Sequence, residues 1–99
     1  MKNHTKIYLK AFGYNPGDNT DFIPSELSGQ RAVDIHHIVT REDRIENLMA
    51  LTREEHIKYG EIKSEMRYLL INHRNFIDVH DLEYDKEWFN KYLSKYAQD

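Results

Sequence analysis

The chain contains no cysteine among its 99 residues. Without cysteine the fold can hold neither a disulfide nor a zinc ion bound through thiolates. Any metal must therefore be bound by histidine, aspartate or glutamate, and six histidines are available. We accordingly expect no structural zinc.

Long apolar runs are also absent. A helix that crosses a membrane needs about 20 consecutive apolar residues, and no stretch of this chain comes close to that length. Residues 1–6 lack the apolar segment of a signal peptide. We therefore expect a cytoplasmic protein without a membrane partner, folded as a single domain over residues 1–99.

An excess of positive charge is missing as well. The formal net charge is −3, and residues 31–63 carry six basic and seven acidic side chains. Proteins that bind nucleic acid through its phosphates usually carry a basic surface. A nucleic-acid partner would then require basic residues that cluster in space, a bound divalent cation that adds local positive charge, or weak binding.

Local patterns predict two strands followed by a helix in the middle of the chain. Residues 32–39 alternate apolar and polar side chains, and residues 47–51 form a short apolar run. Thr52 and Glu55 have the spacing of a capping box, which starts a helix that carries His56 near its beginning. This helix ends at the following glycine or continues through it.

The flanking segments complete an α+β fold. Residues 5–12 are ambiguous between a short helix and a strand, and turn signals follow at residues 15–19 and 25–29. Helical spacing predicts a second helix that reaches about Ile71 and a terminal helix over residues 85–97. The expected core consists of Val33, Ile35, Leu48, Leu51, Ile62, Met66, Leu69, Trp88, Phe89 and Leu93.

Three features that carry chemistry lie between the first strand and the helix. His36 and His37 are adjacent at the end of the first strand, Asn47 follows ten residues after His37, and His56 follows nine residues later. A hairpin with a helix across it can bring these side chains together. Adjacent residues of a straight strand point to opposite faces, so the alternative is one buried and one solvated histidine.

The stretch AVDIHHIVTREDRIENLMALTREEH, residues 32–56, resembles the HNH endonuclease motif on its ββα-metal fold. The resemblance covers about residues 25–57, and helices over about 61–97 would brace this motif. It implies that His36 and His56 bind a divalent metal and that His37 is the general base. Asn47 would hold the loop and the base in place.

The function that this resemblance implies is metal-dependent hydrolysis of DNA phosphodiester bonds. Neutral His37 would take a proton from the attacking water, and one metal on His36 and His56 would neutralise the developing charge. Mn²⁺, Ni²⁺ and Zn²⁺ suit imidazole ligands, whereas Mg²⁺ prefers oxygen. One such site cuts one strand, so a monomer should nick DNA and a homodimer could cut both strands. Similar proteins of this size occur in phages and bacteria.

One departure from the family concerns structural zinc. Many HNH proteins brace the motif with a zinc ribbon of four cysteines, and those positions correspond here to residues of other types. The matching residues are Ser25, Ser28, Thr52 and Glu55. The chain therefore resembles the branch without a zinc ribbon, in which the C-terminal helices brace the site.

Several further residues are candidates for the site. Asp34 shares a strand face with His36 and is an additional candidate ligand or a support for one. Basic residues that flank the motif are candidates for phosphate binding, and each has the alternative of a solvated surface charge. They are Arg41, Arg44, Arg53 and Lys58. The remaining histidines are expected to lie on the surface or to pack against other side chains. The helix face formed by Trp88, Tyr92 and Tyr96 is expected in the core.

A rival interpretation belongs to a different functional class. The low positive charge keeps open the alternative of a non-catalytic nucleic-acid-binding or scaffold module that retains the HNH frame. Such a chain could work with a partner inside a phage or restriction assembly.

Overall fold

A computed structural model of the chain describes residues 2–14, 23–60 and 62–97. The turn expected at residues 15–19 lies outside the described residues. The elements are α1 (Asn3–Ala11), β1 (Asp34–His37), β2 (Leu48–Leu51), α2 (Arg53–Tyr59), α3 (Met66–Val79) and α4 (Lys86–Lys95). The mixed α+β class expected from the sequence is confirmed, and the ambiguous segment near the N-terminus is a helix. In the described part of the chain, no helix has the length and apolar character needed to span a membrane.

Strands β1 and β2 form an antiparallel hairpin in which His36 pairs with Met49 and His37 with Leu48. All four residues of β2 are buried, because the hairpin lies between helices on both faces. Leu48 and Ala50 pack with Tyr8 of α1. Met49 belongs to the larger core cluster formed with α3 and α4. This double burial holds β2 rigidly beneath the strand that carries the two histidines.

Helix α2 begins as the sequence predicts. The Thr52 hydroxyl accepts a hydrogen bond from the backbone N–H of Glu55 at 3.1 Å, and the Glu55 carboxylate accepts one from the N–H of Thr52 at 2.8 Å. This reciprocal pairing satisfies two of the free N–H groups at the start of the helix. The helix ends at Gly60, whose N–H donates to the carbonyl of His56 at 2.9 Å.

Helix α3 corrects two expectations. It continues to Val79 rather than ending near Ile71, because its buried stripe continues through His73 and Ile77. His73 interrupts the apolar pattern in the sequence although its side chain is fully buried. The segment before α3 also differs, since Ile62 is 44% exposed rather than part of the core.

Val33 was also expected in the core, and that expectation is wrong because it is 60% exposed. Its backbone N–H donates to the carbonyl of Leu51 at 3.1 Å, but it precedes the paired part of β1. The sequence-based core omits several buried residues of α1, β2 and α3 and of the turn after β1. They are Tyr8, Leu9, Ile38, Met49, Ala50, Leu70 and Ile77.

A buried ion pair joins α3 to the segment before β1. His73 Nδ1 donates to Glu26 Oε1 and His73 Nε2 donates to the carbonyl of Ile45, both at 2.6 Å. Since both ring nitrogens face acceptors, both carry a proton and the ring is positively charged. Burial opposes this charge, but the Glu26 carboxylate raises the pKa of His73 above its usual value. Glu26 also accepts a hydrogen bond from the Tyr8 hydroxyl at 2.6 Å.

Hydrogen bonds connect the residues that correspond to the missing zinc-ribbon cysteines. The Ser25 hydroxyl donates to Glu55 Oε1 at 2.5 Å, and this oxygen also accepts from the backbone of Thr52. Burial alone would raise the pKa of Glu55, but hydrogen bonds from Ser25, Thr52 and Ser28 lower it below its usual value. An ionised carboxylate therefore ties the turn at 25–29 to the start of α2.

Candidate functional site

The three histidines of the motif line one cleft of about 550 Å³. His36 and His37 reach it from the end of β1, and His56 reaches it from α2. Gly60 lies in its wall, and Arg41 in the loop after β1 lies at its edge. The fold therefore brings the expected residues to a common solvent-accessible space.

His36 and His56 lie against each other in this cleft. Their ring centroids are 4.5 Å apart, and His36 is only 5% exposed. Asp34, on the same face of β1, has its Oδ2 3.1 Å from Nδ1 of His56. If the Nδ1 proton of His56 is donated to Asp34, the Nε2 atom keeps its lone pair and can bind a metal.

Asp34 is itself held in its ionised form. Arg53 donates two hydrogen bonds to it, from Nε at 2.8 Å and from Nη2 at 3.1 Å. Hydrogen bonding from Arg53, followed by that from His56, lowers the pKa of Asp34 below its usual value. Arg53 therefore supports the carboxylate behind His56 in this structure, and its expected role at a phosphate stays a prediction.

Gly60 allows the two imidazoles to lie close to the backbone. A Cβ atom at this position would lie 2.5 Å from His56 Cδ2 and 3.2 Å from His36 Cε1. The backbone of Gly60 is right-handed helical, so glycine is required by this close contact and not by its conformation. Two imidazoles with a carboxylate behind one of them are ligands of the kind that divalent transition metals prefer.

His37 points away from this pair, as expected for the next residue of a strand. Its Nε2 lies 2.8 Å from Asp43 Oδ1, and its ring centroid is 4.5 Å from that of His4. Asp43 Oδ2 accepts a hydrogen bond from Asn3 at 3.0 Å. Hydrogen bonding from His37 lowers the pKa of Asp43. With Nε2–H donated to this carboxylate, Nδ1 of His37 is the nitrogen that can accept a proton.

Asn47 holds the loop between the two strands. Its side chain is fully buried, and its Oδ1 accepts from the N–H groups of Val39 at 2.9 Å and Thr40 at 3.3 Å. Its Nδ2 donates to the carbonyls of Thr40 at 2.9 Å and Glu42 at 3.0 Å. Since this loop carries Asp43, the position of Asn47 determines where the partner of His37 lies.

The basic candidates occupy different environments. Arg44 contacts three carboxylates, at 3.0 to 3.5 Å, and lies 5.6 Å from the centre of the Trp88 ring. Lys58 lies over the ring of Tyr59 at 5.1 Å. Of the four candidates, Arg41 is the one that lines the cleft, together with Lys2.

The sequence did not select four residues of the site as candidates: Lys2, His4 and Gly60, which line the cleft, and Asp43, which contacts His37. His4 is partly buried, and burial followed by the nearby His37 lowers its pKa. In the described part of the chain, three side chains of metal-ligating types lie close together: His4, His37 and Asp43. Their ligand atoms are all within 4.8 Å of one another. Nothing in the local sequence pattern connects His4 with His37, because α1 reaches the hairpin through tertiary packing.

Comparisons of the chain with models of protein families, with curated proteins and with solved structures found no match.

Proposed function

We propose that the chain is a metal-dependent endonuclease that hydrolyses DNA phosphodiester bonds at this cleft. The observation that carries the proposal is the convergence of His36, His37 and His56 on one cleft, with Asn47 anchoring the loop beside it. These four side chains are the ones that the HNH resemblance selects: two at the end of β1, one in the turn just before β2 and one on α2.

His37 is the general base in this proposal. Its Nε2–H donates to Asp43, so Nδ1 accepts the proton of the attacking water. Asp43 keeps the imidazole in this tautomer and stabilises the positive charge that forms on it. Asn47 positions Asp43 by holding the loop backbone. Asp43 and Asn47 are therefore positioning residues for His37.

His36 and His56 would hold one divalent ion, with Asp34 supporting His56. When bound, the ion supplies positive charge for the phosphate oxygens in the transition state. Mn²⁺, Mg²⁺, Ni²⁺ and Zn²⁺ are the candidate ions. Two imidazole ligands favour the transition metals over Mg²⁺.

DNA is the proposed substrate, although the chain has a net charge of −3. Arg41 and Lys2 line the cleft and are placed to contact phosphates on either side of the scissile bond. Arg44 is already paired with carboxylates and contributes less. With few free cations the affinity should be low and should depend only weakly on salt. The proposed reaction is a nick, because one site acts on one strand.

Nicking of supercoiled plasmid tests the proposal. The assay compares wild type, His37→Ala and His80→Ala with a panel of Mg²⁺, Mn²⁺, Ni²⁺ and Zn²⁺. His80 is exposed at the end of α3 and bonds to the carbonyl of Phe76, so its replacement is a matched control. Loss of the general base should slow nicking by about 10²–10⁴-fold, whereas the control should retain the wild-type rate.

Equal nicking by His37→Ala and wild type would refute the role of His37. No nicking with any metal would refute the nuclease proposal and would favour the non-catalytic binding or scaffold module. The pairing of Arg44 and Arg53 with carboxylates is the observation that favours the scaffold form of this second function, because it leaves few cations for DNA binding.

A further inference from the structure

A second group of metal-ligating side chains lies beside the same cleft, apart from His36 and His56, and two of its members, His4 and His37, line that cleft. His4 comes from the first turn of α1, His37 from the end of β1 and Asp43 from the loop held by Asn47. Their ligand atoms lie within 4.8 Å of one another. Three residues far apart in the sequence thus meet at one point.

The geometry is close to that of a bound ion. Zn–N and Zn–O distances are about 2.0–2.2 Å, so ligand atoms on one zinc ion lie roughly 3–3.5 Å apart. His37 Nε2 and Asp43 Oδ1 are 2.8 Å apart, and the Asp43 carboxylate is already oriented by Asn3. Binding therefore requires the His37–Asp43 pair to open by roughly 0.2–0.7 Å and the side chain of His4 to move closer. His4 is partly exposed, so this movement disturbs no core packing.

We propose that His4, His37 and Asp43 form a second, transition-metal site, and that Zn²⁺ bound there inhibits the nuclease. Two imidazoles and one carboxylate select Zn²⁺ and similar ions over Mg²⁺, which prefers oxygen ligands. The inhibitory role rests on the proposed function, because it requires His37 to be the general base. The existence of the site does not.

Inhibition follows from the tautomer of His37. In the absence of this ion, Nε2 of His37 carries the ring proton and donates a hydrogen bond to Asp43. Nδ1 then holds a free lone pair. Coordination through Nε2 requires that nitrogen to be deprotonated, so the ring proton moves to Nδ1. The imidazole stays neutral and no net proton is released from it. Nδ1 then has no lone pair for the proton of the attacking water.

Equilibrium binding of Zn²⁺ to purified protein tests the site without any activity measurement. His56→Ala removes a ligand of the first site, so the Zn²⁺ that remains bound reports on the second. Adding His4→Ala should weaken this Zn²⁺ binding by more than about 10–100-fold. Loss of a residue that only supports a ligand weakens metal binding by about that factor, and loss of a ligand should weaken it more. Adding His80→Ala instead should leave it unchanged. Equal Zn²⁺ affinity of His56→Ala with and without His4→Ala, or no binding by His56→Ala, would overturn the site.

Nicking in Mg²⁺ with increasing Zn²⁺ tests inhibition. His4 carries no step of the proposed reaction but packs against His37, so each variant is compared with its own rate in Mg²⁺ without Zn²⁺. On that scale, His4→Ala should need at least about tenfold more Zn²⁺ than wild type for half-inhibition. Identical Zn²⁺ inhibition of wild type and His4→Ala would overturn the inhibitory role. A third outcome is Zn²⁺ binding that depends on His4 in a chain that does not nick DNA with any of the metals. This outcome would support the site and would refute both the nuclease function and its inhibition.

Discussion

Replacing Asn47 with alanine tests whether the loop after β1 is held by one side chain. Asn47 makes four hydrogen bonds to the backbone of Val39, Thr40 and Glu42, and it is fully buried. Each such bond contributes about 0.5–1.5 kcal/mol net. Losing all four should lower the free energy of unfolding by about 2–6 kcal/mol, a large part of the 5–15 kcal/mol typical of a domain.

Two further variants make this measurement specific. Asn47→Asp keeps the oxygen that accepts from Val39 and Thr40 but loses both donated hydrogen bonds. Because it loses fewer bonds, its unfolding can still be measured if Asn47→Ala does not fold, and it should also be less stable than wild type. Asn72→Ala is the matched control, because Asn72 makes one exposed bond, to the carbonyl of Tyr68 at 2.8 Å. Its effect should stay within about 0.5 kcal/mol.

Urea unfolding followed by circular dichroism measures these differences. With a slope of about 1–3 kcal/mol per molar urea, the midpoint of Asn47→Ala should fall by at least about 0.7 M at an unchanged slope. Amide exchange at Val39 and Thr40 should also become faster. A loss below about 1 kcal/mol, with unchanged exchange at both amides, would refute the anchoring role of Asn47.

Three more predictions concern metal, pH and the zinc-ribbon positions. EDTA should stop nicking without reducing the helical dichroism signal at room temperature, because an apolar core holds the fold; loss of that signal would contradict this. The pKa of His73 is higher in the folded chain than in the unfolded chain. Its ion pair therefore stabilises the fold fully at pH values below the pKa of the unfolded chain, about 6.5. This stabilisation is lost as the pH rises through the pKa of the folded chain. The urea midpoint should therefore fall with rising pH from that point in wild type, and a flat profile would exclude a charged His73. Four cysteines should create a tetrahedral Co²⁺ site with the visible absorption of thiolate ligation, which wild type, having no cysteine, should lack. The substitutions are Ser25→Cys, Ser28→Cys, Thr52→Cys and Glu55→Cys.

The sequence by itself determined the features that depend on neighbouring residues. Thr52 and Glu55 start α2 because their side chains bond to the N–H groups of the same helical turn. The hairpin and the terminal helix were likewise predictable, because the polarity pattern of a short segment reflects which of its faces is buried. Among the site residues, the local spacing of His36, Asn47 and His56 sufficed to select them as candidates.

Only the tertiary structure decided the features that depend on distant parts of the chain. His73 is buried because Glu26, remote in sequence, neutralises its charge, and α3 therefore continues past Ile71. His4 reaches His37 because α1 packs on the hairpin. Such contacts leave no periodic signal in the sequence, since they depend on how whole elements pack rather than on the spacing of residues within one of them.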